Sequence, residues 1–198
     1  MNFLAHIYLS GEDEFVKIGN FIADSIRGSH YLDYPNAIQK GILLHRHIDS
    51  FTDAHPIYRK SKHRLHEKYG HYSGVIMDIA YDHFLAKNWS KYSNENLEDY
   101  AVNFYQFAQN NYDLLTDRIK KMLPYMIGRN WFVCYASISG LEMILFQMDY
   151  KTKYRVHMQE AIVEIQDFYT EFESEFFLFF DELVISCQQK IKELNEIL

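Results

Sequence analysis

Residues 35–52 read PNAIQKGILLHRHIDSFT, and this stretch decides the fold class. Pro35 suits the first turn of a helix, where a backbone N–H has no intrahelical partner to lose. From there Ile38 and Ile42 recur at helical spacing, and the same stripe continues through His45, Asp49 and Thr52. The pattern predicts a helix from Pro35 to about Phe51. A face that starts apolar and becomes ionisable needs a reason. His45 and Asp49 stand at i and i+4, so their side chains can converge on one point, as a shared metal ion or a His–carboxylate pair requires.

Working outward, helical spacing recurs almost everywhere and strand alternation is nearly absent. Three prolines and eight glycines leave little punctuation in 198 residues. A short helix is expected over roughly Asn2 to Leu9, and a second from about Asp13 to Arg27, stopped near Gly28. A basic helix follows Pro56 and ends at Gly70, the usual place for a terminating glycine. Ser73 is expected to cap a helix through about Lys87, and Ser93 to start another, with Leu97, Tyr100, Ala101, Phe104 and Ala108 on one stripe. After Pro124 come a helix containing Trp131 and a long C-terminal helix or broken pair. Its apolar face is Ile162, Ile165, Tyr169, Phe172, Phe176, Phe180 and Leu183. These elements predict one all-α domain, residues 1–198, of about seven to nine helices.

The anomaly of the third helix repeats elsewhere. Asp78 and Asp82, again i and i+4, lie in a segment otherwise marked as buried by Val75, Ile76, Ile79, Phe84 and Leu85, with His83 beside them. Two carboxylates one turn apart in an apolar element repel unless a cation sits between them. Asn20 and Asp24 fall among Ile18, Phe21, Ile22 and Ile26, and His6 interrupts the apolar run Phe3, Leu4, Ala5, Ile7. Four helices thus offer ligand-type residues where periodicity expects hydrophobes. A mixed imidazole and carboxylate set favours Mn, Mg or Fe over a thiolate zinc site. Histidine itself is skewed, nine of ten lying before residue 84. His63, His66 and His71 read as solvent-facing, His30 and His55 as loop residues, and His47 as pointing away from His45.

Composition limits the alternatives. Hydrophobic residues make up 48% and aromatics 17%, which excludes a mainly disordered chain. A formal charge of −7 argues against a general nucleic-acid binder. Cys134 and Cys187 lie far apart with no CxxC, and read as reduced thiols of a cytosolic protein. The opening MNFLAHIYLSGEDEF has no basic region of the kind a signal peptide carries, and Phe176 to Phe180 is too short to span a bilayer. Charge is uneven. Arg27 to Lys68 carries a local balance of +4 and Glu142 to the end a balance of −7; the acidic run reads as a solvated face.

Several blocks together resemble the acyl carrier protein phosphodiesterase family. They are Met1-Asn2-Phe3-Leu4-Ala5-His6, Gly19-Asn20-Phe21-Ile22-Ala23-Asp24, Gly41-Ile42 with Leu44-His45-Arg46, Ile48-Asp49 with Thr52-Asp53, and Asp78 with Asp82-His83-Phe84-Leu85 and Trp89. They fall in order over roughly residues 1 to 90. The resemblance implies an HD-domain-like helical enzyme, distantly related to the HD phosphohydrolases. It also implies a cytoplasmic protein that removes 4′-phosphopantetheine from holo-acyl carrier protein, with manganese as the usual metal. In this chain the HD order is altered: Ile48 separates His47 from Asp49, and the adjacent pair Asp82-His83 is reversed.

On this reading Asp24, His45 and Asp49 hold a divalent ion, Mn²⁺ with Mg²⁺ or Fe²⁺ as alternatives, and Asp82 and Asp78 complete the set. Arg46 neutralises the phosphate, and His6 or His83 serves the leaving serine oxygen or orients the water. The basic Arg27–Lys68 segment docks an acidic carrier protein. A phosphoesterase acting on a nucleotide or another small ester, or a non-catalytic helical interaction protein, are the competing readings.

Overall fold

The computed structural model describes residues 1–198, the side chain of Lys151 excepted. Among the described residues there are eleven α-helices and no strand. In order they are α1 (Phe3–Tyr8), α2 (Glu14–Ile22), α3 (Asn36–Ala54), α4 (Pro56–Tyr69), α5 (Ser73–Lys87), α6 (Leu97–Asn110), α7 (Asp117–Gly128), α8 (Trp131–Cys134), α9 (Ile138–Lys151), α10 (Ala161–Asp167) and α11 (Tyr169–Ile197). The protein is all-α, as the periodicity predicts.

One apolar cluster runs through every layer, from Leu4 and Ile7 on α1 to Leu183 and Leu194 on α11. Its densest part is aromatic. Phe172, Phe176, Phe179 and Phe180 of α11 are fully buried, and Phe176 and Phe180 stack at 5.0 Å. The C-terminal segment is the broken pair, interrupted at Phe168.

Helices α2 and α3 cross in close contact. A Cβ on Gly19 would lie 2.2 Å from the Ile38 carbonyl oxygen, and one on Gly41 only 2.1 Å from that of Val16. Hydrogen in place of a side chain at both positions lets the two backbones touch. That contact brings Asn20 of α2 within reach of His45 of α3.

Several boundaries differ from expectation. The second helix ends at Ile22 and tightens into a 3₁₀ turn over Ala23–Ser25, so Asp24 lies on that turn and not within the α-helix. Ser73 does not cap α5; its hydroxyl donates back to the Gly70 carbonyl. The sixth helix begins at Leu97, where the Asn96 side chain accepts from the Glu98 N–H, and not at Ser93. Pro124 lies inside α7, on its exposed side, where water can serve the carbonyl that loses its partner. No described helix is long and apolar enough to cross a membrane.

The basic and acidic segments meet each other. Arg64 of α4 grips Glu175 of α11 through both guanidinium nitrogens, at 2.6 and 2.7 Å, and Lys60 adds a third contact at 3.0 Å. Lys68 reaches Glu164 at 2.9 Å. The acidic run is therefore in part a partner of α4, not simply a solvated face. Fewer α4 cations are left unpaired than the sequence suggests.

Candidate metal centre

Helix α1 is held by its N-terminus. The Asn2 side chain accepts from the Phe3 N–H, and the buried Asp82 carboxylate of α5 accepts from Asn2 N at 3.1 Å and Leu4 N at 2.8 Å. These bonds satisfy N–H groups that a helix start leaves without partners. They also fix the rotation of a six-residue helix and aim His6 at α2 and α3.

His6 and His45 stack there, ring centroids 4.1 Å apart and planes 22° from parallel. Asn20 lies behind both. Its Oδ1 is 2.8 Å from His6 Nδ1 and 2.9 Å from His45 Nδ1. Its Nδ2 donates to the His6 carbonyl and to Ser10 Oγ, each at 2.9 Å. A carbonyl oxygen can only accept, so the amide orientation is determined and Oδ1 must be the atom facing the imidazoles. Both rings therefore donate from Nδ1, and both Nε2 atoms point the other way.

The Nε2 atoms meet carboxylates. His45 Nε2 is 3.2 Å from Asp49 Oδ2 and 3.3 Å from Asp24 Oδ1, and His6 Nε2 is 3.3 Å from Asp49 Oδ1. Burial opposes charge on His45, but its hydrogen bonds to Asp24 and Asp49 carry its pKa up to about 9. His6 is fully buried beside that cation, and its pKa falls to about 4. Asp49 is held well below the usual carboxylate range because the two histidines outweigh its desolvation. Asp24 is lowered chiefly by its bond to His45.

At neutral pH His6 is uncharged, so its Nε2 lone pair faces an Asp49 oxygen with no proton between them. A cation in that gap removes the repulsion. The ligand atoms of His6, His45 and Asp49 lie within 4.8 Å of one another. The Nε2 atoms of His6 and His45 and the Asp49 carboxylate, with Asp24 beside His45, form a mixed nitrogen–oxygen donor set suited to a divalent ion such as Mn or Fe. The shared Nδ1 acceptor is the outer-shell support such histidines usually have.

The cluster opens into a cavity of about 300 Å³ lined also by Phe3, Phe21, Thr52, Asp53 and Asp78. The structure thus brings together Asp24, His45, Asp49 and His6 of the residues singled out by sequence. Asp78 lines the same cavity, but its Oδ1 accepts from the Met1 amino group at 2.8 Å and from Tyr58 OH at 2.7 Å. Three residues are placed elsewhere. Asp82 is the cap of α1. His83 is committed to the Tyr135 carbonyl through Nδ1 and to Tyr169 OH through Nε2. Arg46 donates to the carbonyls of Ile26 and Gly28 and lies over the Tyr31 ring.

Sequence reasoning missed one member and the role of another. Arg118, from α7, reaches Asp24 Oδ2 at 3.4 Å and supplies the cation at the rim. Asn20 was visible as a polar residue one turn before Asp24, but nothing in the spacing told of its two histidine partners. Among the residues read as loop or surface, His55 is buried and lies 3.3 Å from Glu182, whereas His63, His66 and His71 are exposed.

Comparison with known proteins agrees with the blocks noted in the sequence. The family model described as acyl carrier protein phosphodiesterase matches residues 1–183. A protein of that name from Photorhabdus laumondii is 25% identical over 96% of both chains. Others of the same name, from Yersinia pestis and Shigella boydii, are each 26% identical over 96% of this chain and 99% of their own. No solved structure gives a significant match. With nearly its whole length matched, the chain belongs to the acyl carrier protein phosphodiesterase family.

Proposed function

We propose that this protein is a metal-dependent phosphodiesterase that hydrolyses the 4′-phosphopantetheine–serine diester of holo-acyl carrier protein. One water is consumed, the serine hydroxyl is released, and the phosphate leaves with the pantetheine arm. The observation that carries the reading is the convergence of His6, His45 and Asp49, with both Nε2 atoms aimed at one point by Asn20.

His6, His45, Asp49 and Asp24 would hold the ion, Mn²⁺ first among Mg²⁺ and Fe²⁺. When bound, such an ion polarises a phosphoryl oxygen and acidifies the attacking water. Holding it requires His45 to release its proton, which makes metal affinity rise with pH. Arg118 offers a guanidinium to the diester charge, the role the sequence suggested for Arg46. The Phe3 and Phe21 rings wall one side of the cavity and limit water there. The relation to the HD phosphohydrolases that the sequence resemblance implies would agree with this chemistry, an imidazole–carboxylate set gathered from separate helices.

The test is incubation of the full chain with holo-carrier protein and Mn²⁺, followed by intact-mass analysis of the carrier. Loss of the arm, dependent on metal, supports the reading. A carrier of unchanged mass, while a small phosphodiester is cleaved, would move the substrate to the small-ester class.

A further inference from the structure

A second concavity lies beside the metal cavity, between α7, α8 and α9. It is a groove of about 860 Å³, within the roughly 300–1,000 Å³ of small-molecule sites. Arg118 lines it and also reaches Asp24, so groove and metal cavity meet at that side chain. Helix α9 is common to both: Met148 lines the cavity, and Phe146 and Gln147 line the groove.

Three features describe what would fit. The walls are aromatic and in part uncovered, with Tyr125 68% and Phe146 47% exposed. The charged lining residues are Arg118, Lys121 and Arg129, all cationic, which favours a ligand with an anionic end. Trp131 Nε1 and Gln147 Nε2 are shut off from solvent without a hydrogen-bond partner, and Trp131 as a whole is only 8% exposed. Buried donors left unpaired are costly, so a small turn of each side chain toward the groove it lines, where an acceptor can be met, is favoured.

We propose that this groove receives the amide-bearing arm of the substrate, with Trp131 Nε1 and Gln147 Nε2 donating to its two amide carbonyls. The diester phosphate lies at the Arg118 end, toward Asp24. The gem-dimethyl segment between phosphate and first amide, and the methylenes between the two amides, lie along Tyr125 and Phe146. The assignment rests on the reaction proposed above, because that reaction defines a phosphate joined to a chain of two amides. A simple anionic amphiphile would use the cations and the rings but leave both donors unpaired.

The test is a titration of the ¹⁵N-labelled full chain with pantetheine, observed at the indole N–H resonances. There are two tryptophans, and Trp89 Nε1 already donates to the Glu95 carbonyl at 2.8 Å. The Trp131 resonance is expected to move downfield and saturate while that of Trp89 stays, with Trp131→Phe assigning the pair. Gln147→Leu should weaken pantetheine binding roughly 3–10-fold, and raise KM for holo-carrier protein by a similar factor, as loss of one neutral hydrogen bond does. An unmoved Trp131 resonance at saturating pantetheine, or one that responds only to decanoate, overturns the assignment. If pantetheine moves Trp131 but the carrier is never cleaved, the groove stands and the reaction reading falls. If the carrier is cleaved while Gln147→Leu leaves both binding and KM unchanged, the reaction stands and the groove assignment falls.

Discussion

His6 and His45 lie 39 residues apart in sequence (45 − 6), on separate helices, yet share one hydrogen-bond acceptor, the Oδ1 of Asn20. That single oxygen fixes the orientation of both rings, and with it the direction of both Nε2 atoms. Removing it releases both rings at once. In Asn20→Ala the affinity for Mn²⁺ should fall roughly 10–100-fold, the usual effect of losing an outer-shell partner. The fold should persist, because Ser10 Oγ still donates to the His6 carbonyl. Calorimetric titration beside a thermal melt separates the two effects; a full loss of structure would show Asn20 to be a core residue first.

The crossing of α2 and α3 depends on two glycines meeting backbone to backbone. A methyl at Gly41 would collide with the Val16 carbonyl oxygen and the Asn20 nitrogen, neither of which has side-chain freedom to give way. Gly41→Ala should therefore lower stability by at least roughly 1–3 kcal/mol, read by chemical denaturation. It should also weaken metal binding, since Asn20 and His45 are separated by the same displacement.

Asp82 joins the site to the fold through the start of α1. Burial pushes its carboxyl up to about 7, against the pull of the Met1 ammonium and the Asn2 and Leu4 N–H groups. In the unfolded chain the group titrates near 3.8. Between about 4 and 7 the folded form thus binds more protons, so this residue makes stability fall as pH rises through that window. Asp82→Ala should flatten that slope in melts taken from pH 4 to 7. It should also cost about 0.5–2 kcal/mol for the lost cap.

Glu175 acts with the opposite sign. Despite the cost of burial, Arg64, Ser61 and Lys60 hold its pKa below the usual 4.5. Its contribution is present above 4.5 and is lost as pH falls through the lower folded value. Glu175→Gln should cost roughly 1–3 kcal/mol at pH 7, through the unpaired Arg64, and the difference from the parent should shrink toward pH 3. Denaturation at the two pH values measures it.

The residues of the His–carboxylate cluster were legible in sequence to the extent that each breaks a local pattern. His45 and Asp49 share one stripe of one helix, and His6 interrupts an apolar run. Asp78 and Asp82 break a pattern in the same way but are used for another purpose: periodicity identifies the face a side chain occupies, not what the fold places opposite it. Asp82 meets the N-terminus of α1, and Asp78 meets Met1 and Tyr58. Arg118 was out of reach because its partner Asp24 lies 94 residues earlier (118 − 24) and α7 itself was hidden by Pro124. The basic helix likewise looked free only because the acids that cover it lie about a hundred residues away.

One divalent ion held by His6, His45 and Asp49, with Asp24 beside them, is what the proposed reaction requires. Anomalous-difference maps from crystals of the full chain grown with Mn²⁺ test it most directly. A single strong peak is expected in the cavity, within bonding distance of the Nε2 atoms of both histidines. A peak at Asp82 and His83 instead, or none between His6 and His45 when Mn²⁺ is saturating, would contradict it.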